Sequence, residues 1–79
     1  MKIKVLGTGC ANCKMLERNV INALAELNIA ANVEKVEDID KILNYGIMRT
    51  PGLIINDKIV LSGRVPSHTE LKEIIQKNK

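Results

Sequence analysis

The sequence predicts an α/β fold with the order β-α-β-α-β-β-α and a four-stranded mixed sheet packed with helices. Three patterns predict it. Apolar and polar residues alternate over 2–6, apolar residues then recur at helical spacing from Cys13 to Leu27, and a short apolar hairpin pattern surrounds Asn56-Asp57. A helix between the first two strands makes them parallel, with a right-handed crossover. The hairpin adds an antiparallel pair, which makes the sheet mixed.

Residues 2–6, Lys-Ile-Lys-Val-Leu, read as the first strand, and Gly7-Thr8-Gly9 breaks it. Cys13, Leu16, Val20, Leu24 and Leu27 fall on one helical face, with Met15, Ile21 and Ala23 broadening the stripe. Asn28 is a natural helix end. Residues 31–36 read as a second strand. Asp38 can cap a short helix whose apolar face is Ile39, Ile42 and Leu43, with Gly46 as its stop. Leu53-Ile54-Ile55 and Lys58-Ile59-Val60-Leu61 flank the Asn56-Asp57 turn, and Gly63 ends the hairpin. Ser67 and Glu70 form a capping-box pattern before a last helix with Leu71, Ile74 and Ile75 on its inner face, running to about Gln76.

Seventy-nine residues suit one domain spanning 1–79. With 46% hydrophobic and 27% charged residues, the chain is neither disordered nor of low complexity. Its apolar runs are too short to span a membrane, and residues 1–6 lack a long apolar signal region. A cytoplasmic location with reducible thiols is therefore expected. Twelve basic against nine acidic residues give a net charge of +3. The lysines are scattered and Tyr45 is the sole aromatic, so a nucleic-acid surface of basic stripe and stacking rings is not expected.

Cys10-Ala11-Asn12-Cys13 carries the clearest chemistry. It lies where a strand gives way to a helix, and the first helical turn has backbone N–H groups without intrahelical partners. Those donors and the helix dipole stabilise a thiolate at Cys10, the species that attacks disulfides. Two intervening residues allow Cys13 to close a disulfide with it. Cys10 precedes the helix and should be exposed, whereas Cys13 belongs to the apolar stripe and should be partly covered. That asymmetry distinguishes an attacking from a resolving cysteine. Lys14 adds a solvated positive charge nearby.

A purely structural disulfide enclosing two residues adds little stability, and the cytoplasm disfavours it. A structural zinc needs four ligands, but the chain offers two cysteines and the distant His68, which reads as a surface residue of the last helix. No metal site is expected on that basis. Two thiolates alone can hold Cu(I). Small copper chaperones also place a Cys-x-x-Cys pair after their first strand. They usually have methionine two residues before the first cysteine, where this chain has Thr8. Their fold also puts a hairpin after the first helix, where this pattern predicts a strand and a second helix.

Thr50-Pro51 precedes the apolar hairpin. Its peptide bond can be cis at small cost, which would leave the backbone of Thr50 free to bind an extended peptide as an added strand. An ordinary trans proline starting an edge strand fits the spacing equally well.

Together, Cys-Ala-Asn-Cys after the first strand, Thr50-Pro51 before the hairpin and Ser62-Gly63-Arg64-Val65-Pro66-Ser67 before the last helix resemble the small thioredoxin-like proteins of archaea and bacteria. These are known as minimal thioredoxins or redox-active disulfide proteins. The resemblance covers essentially the whole chain. It implies a thioredoxin fold trimmed of an N-terminal strand and helix, and a cis bond at Thr50-Pro51. It also implies a redox-active pair with Cys10 attacking and Cys13 resolving. Thr50 and Pro51, with Gly9 and Gly63, become the substrate-binding positions. Full-length thioredoxins have tryptophan before the first cysteine and Gly-Pro within the pair; this chain has Gly9 and Ala11-Asn12. They also carry a buried carboxylate near the resolving cysteine, whereas residues 2–6 hold no acid. The proton of Cys13 then leaves through water or another group.

The resulting expectation is a thiol–disulfide oxidoreductase that exchanges disulfides with proteins or small thiols. It needs no bound cofactor, takes electrons from a reductase or small thiols, and works as a monomer without nucleic acid or membrane. The competing expectations are a Cu(I) or arsenite carrier using the same two thiolates, and a redox sensor.

Overall fold

In the computed structural model, which describes residues 1–78, seven elements follow the anticipated order. They are β1 (Lys2–Leu6), α1 (Ala11–Leu27), β2 (Asn32–Val36), α2 (Ile39–Asn44), β3 (Gly52–Ile55), β4 (Lys58–Ser62) and α3 (His68–Lys77). Lys79, the last residue of the expected 1–79 domain, lies outside the described residues.

The strands form one mixed sheet in the order β2-β1-β3-β4. β1 pairs parallel with β2 and antiparallel with β3, and β3 pairs antiparallel with β4. Asn56 and Asp57 both adopt positive φ, 49° and 69°, which suits a two-residue hairpin turn. Asn56 also ties this turn to the start of β1: its N–H donates to Lys2 O (2.9 Å) and its Oδ1 accepts from Lys2 N (3.1 Å). The β3–β4 register shifts by one residue between Leu53 and Ile54, leaving Val60 as the extra residue on β4.

Alternation along the strands divides the core between the two faces of the sheet. Ile3, Val5, Leu53, Ile55 and Leu61 pack against Leu16, Val20, Ala23 and Leu24 of α1 and Leu71 and Ile75 of α3. On the opposite face Leu6, Val36 and Ile54 meet Ile42 of α2 and Ile47 of the following loop.

The caps explain where the helices begin. Cys10 Sγ accepts from Cys13 N, Asp38 Oδ1 from Asp40 N and Ser67 Oγ from Glu70 N. Asn28, at φ 56°, ends α1 in the left-handed conformation.

The structure narrows several expected apolar faces. Met15 and Ile21 are about half exposed, because each sits one residue, about 100°, round from the buried stripe. On α2, Ile39 and Leu43 are exposed and Ile42 alone is buried, since a helix of six residues reaches the sheet through little more than one side chain. The capping box of α3 is half made: Ser67 caps it, while the Glu70 carboxylate pairs with Arg64. β2 starts at Asn32 rather than residue 31, and β4 runs one residue further, to Ser62.

Candidate active site at one end of the sheet

Strand register gathers the candidate residues. Leu6 lies opposite both Val36 and Gly52, and Gly52 lies opposite Ser62. The chain just beyond these four residues therefore emerges at the same end of the sheet. It carries Gly7 to Cys10 after β1, Glu37 and Asp38 after β2, Thr50-Pro51 before β3 and Gly63 after β4.

Cys10 is the N-cap of α1, in extended conformation, and Cys13 lies in the first turn. The two form a disulfide with Cα atoms 5.0 Å apart. Cys10 Sγ accepts the Cys13 N–H at 3.2 Å, and Cys10 O accepts from Lys14 N at 3.0 Å. The same donor geometry would receive a Cys10 thiolate in the reduced protein. Burial separates the sulfurs: Cys10 is exposed, whereas Cys13 is 6% exposed. Ala11, Asn12 and Lys14 stand in solvent.

Gly7, which spacing marked only as a strand break, sets the depth of Cys13. A Cβ on Gly7 would lie 2.8 Å from Cys13 Cβ, so no side chain fits between them. The Gly7 N–H donates to Val36 O at 2.9 Å and fixes this close approach. Gly9 turns the chain into Cys10 with φ 85°, a conformation that suits glycine. The sequence did contain a clue to Gly7, a glycine immediately between a strand and a cysteine pair.

The Thr50-Pro51 bond is cis. Pro51 is buried and Thr50 exposed. Pro51 O accepts from Gly63 N at 2.8 Å, and Ser62 Oγ donates to Arg49 O at 3.3 Å. These bonds fasten the loop to the end of β4. Gly63, at φ 80°, lies against Arg49, where an added Cβ would come within 3.0 Å of Arg49 Cβ. Below the loop, buried Ile47 presses on Gly52, leaving only 2.7 Å between its Cδ1 and any Cβ there. Met48, between Ile47 and Arg49, is almost fully exposed. No local pattern singled out Ile47, Met48 or Arg49, because their importance comes from what the loop packs on.

A narrow crevice of about 10 Å³ opens beside Cys13, lined by Gly7, Gly9, Lys14, Lys35 and Glu37 among others. Lys35 Nζ lies 3.4 Å from Glu17 Oε2. His68 is far from this arrangement in role: it pairs with Glu26 across the α1–α3 contact. Among the described residues, no group of three or more His, Cys, Asp or Glu side chains converges to hold a metal ion.

The comparison with known families bears directly on this arrangement. The family model described as a thioredoxin domain matches residues 1–76. The chain belongs to the thioredoxin domain family. It is similar to a thioredoxin of Methanothermobacter thermautotrophicus, 47% identical over 75 residues, covering 95% of this chain and 97% of that protein. It is also similar to a thioredoxin of Methanocaldococcus jannaschii, 41% identical over 71 residues, 90% of this chain and 81% of that one. The protein is a thioredoxin-type thiol–disulfide oxidoreductase with Cys10–Cys13 as its CxxC pair. Thioredoxin homology implies disulfide-containing protein targets. Among the described residues, no helix is long and apolar enough to cross a membrane.

Proposed function

We propose that this protein reduces partner disulfides, with Cys10 as the attacking thiolate and Cys13 as the resolving thiol. The observation that carries the reading is the burial split across the pair: a partner sulfur can approach exposed Cys10, whereas Cys13 is buried behind it. Cys10 thiolate attacks the partner disulfide and forms a mixed disulfide. Cys13 then attacks Cys10 Sγ, releasing the reduced partner and leaving Cys10–Cys13 oxidised. Two electrons pass from the dithiol to the partner, and a reductase or small thiols restore them. Thr50 and Pro51 seat the partner backbone as an added strand, with Gly9 and Gly63 keeping the flanks low enough for its approach. Residues 1–79 act as one monomeric cytoplasmic domain without a bound cofactor, and neither nucleic acid nor membrane takes part.

Two variants test the roles. Cys10→Ser should abolish turnover, and Cys13→Ser should accumulate mixed disulfides detectable by mass. A Cys13→Ser protein that never captures a partner overturns the assignment. A redox titration of the pair in dithiol buffers adds the direction. Thioredoxin itself has a potential of about −270 mV and the oxidant DsbA about −120 mV, so a transition near the first supports a reductase and one near the second an oxidase or sensor. If no intramolecular disulfide forms at any poise, the same thiolates should be titrated with Cu(I) and arsenite.

A further inference from the structure

Charge is distributed unevenly over the end of the sheet that carries the cysteines. On the β2 side, Lys14 and Lys35 share the crevice beside Cys13 with Glu37, and Lys35 also lies against Glu17. Basic and acidic groups balance there. On the β4 side, the cations next to Gly63 are Arg49 and Arg64. Arg64 pairs with Glu70. Arg49 is exposed and pairs with no carboxylate among the described residues.

Arg49 is also held at its base. Its carbonyl accepts from Ser62 Oγ at 3.3 Å. Its stem lies along Gly63: Cβ, Cδ and Cγ are 3.0, 3.2 and 3.7 Å from the position a Cβ on Gly63 would take. Any larger residue at 63 would push against that stem. Backbone and stem are thus anchored before a partner arrives, so less side-chain freedom is lost when the guanidinium binds. A guanidinium matches a carboxylate with two parallel hydrogen bonds and is more weakly hydrated than an ammonium. The next residue is Thr50, whose backbone is proposed above to seat the partner strand. Partner residues close to the reacting disulfide therefore pass beside Arg49.

We propose that Arg49 is a specificity-determining residue of this site, and that it selects protein disulfides flanked by carboxylate side chains. This inference rests on the reductase reading above and on the seating of the partner by Thr50 and Pro51. The Arg49 guanidinium pairs with a partner carboxylate while Cys10 attacks the disulfide. It stabilises the docked complex and takes no part in the sulfur chemistry. Gly63 serves the selection by leaving room for the Arg49 stem, and Ser62 by holding the Arg49 carbonyl.

Three synthetic peptides test this, each closed by one disulfide and differing only in whether the residues flanking its cysteines are Glu, Gln or Lys. Reduced protein is mixed with each, and the second-order rate of Cys10–Cys13 disulfide formation is followed by alkylation and mass. Comparing variant with wild type on the same peptide cancels the peptide's own reactivity. Arg49→Gln should slow the Glu peptide about threefold relative to the Gln peptide, the size of a solvent-facing ion pair. It should speed the Lys peptide relative to the Gln peptide, because repulsion is relieved. Arg49→Lys should keep part of the preference, and Lys14→Gln should leave it in place. The preference should fade in about 1 M salt, where the Debye length is about 3 Å. Equal slowing of all three peptides by Arg49→Gln would mean that the residue only holds the loop, and overturns the proposal. A Glu preference that survives Arg49→Gln overturns it as well. A wild-type protein that reduces none of the three peptides overturns the reductase reading and this proposal together.

Discussion

The two faces of the sheet are built on different scales. One carries α1 and α3 over a continuous aliphatic layer from Ile3 to Leu61. The other is covered only where α2 and Ile47 meet Leu6, Val36 and Ile54, and Lys2, Lys4 and Glu34 leave the rest of it polar. The smaller cluster nevertheless underlies the loop that carries Thr50-Pro51, through Ile47 against Gly52. The contrast suggests a division of labour. The thick face supplies most of the apolar burial that holds the fold, while the thin face holds the site's loop in place with few contacts. Elements that carry function are commonly drawn from the less stable part of a structure.

The largest effect should come from the thick face. Ile55→Ala removes a fully buried side chain from that face and should destabilise the protein by about 3 kcal/mol. Urea unfolding measures this, and the folded fraction should keep its disulfide reductase rate. Ile47→Ala should destabilise less, by about 2 kcal/mol, yet lower turnover per folded molecule several-fold. If the two variants lose turnover in the same proportion, the faces do not divide stability from function.

The smallest effect distinguishes the faces by pH. On the thick side, the hydrogen bond with His68, helped by Lys72, holds the Glu26 carboxyl below its ordinary value, and Arg64 does the same for Glu70. A depressed carboxyl value means the unfolded chain binds protons more readily. The stabilisation is thus complete above the unfolded value, about 4.3, and is lost as pH falls through the folded one. On the thin side, the hydrogen bond from Lys4 Nζ to Tyr45 Oη, 2.6 Å, holds the Lys4 ammonium above its ordinary value. Here the stabilisation is complete below about 10.4 and is lost as pH rises through the folded value. Thermal melts should show His68→Ala flattening the acid limb and Tyr45→Leu flattening the alkaline limb. All these groups are solvent-exposed, so both changes should be slight. An acid limb that ignores His68 would remove that pair from the α1–α3 contact.

Much of this protein was legible in its local patterns. Helical spacing located α1, Ser67 and Asp38 located two helix starts, and Asn56-Asp57 located the hairpin turn. The position of Cys10 and Cys13 at a helix start was legible for the same reason: caps and periodicity are properties of neighbouring residues. The exposure of Met15, Ile21, Ile39 and Leu43 was not, because an apolar side chain is buried only if another element arrives to cover it.

The sequence by itself determined the element order, the cysteine pair and the chemistry open to two thiols at the start of a helix. These follow from backbone geometry within a few residues and from the intrinsic reactivity of sulfur. Only the tertiary structure decided that Leu6, Val36, Gly52 and Ser62 end in line, that Gly7 lets Cys13 sink beside the backbone, and that Glu37 comes to its crevice. Those placements depend on strand pairing and register. Both join residues distant along the chain, and both are chosen by how the whole set of apolar faces can be buried at once.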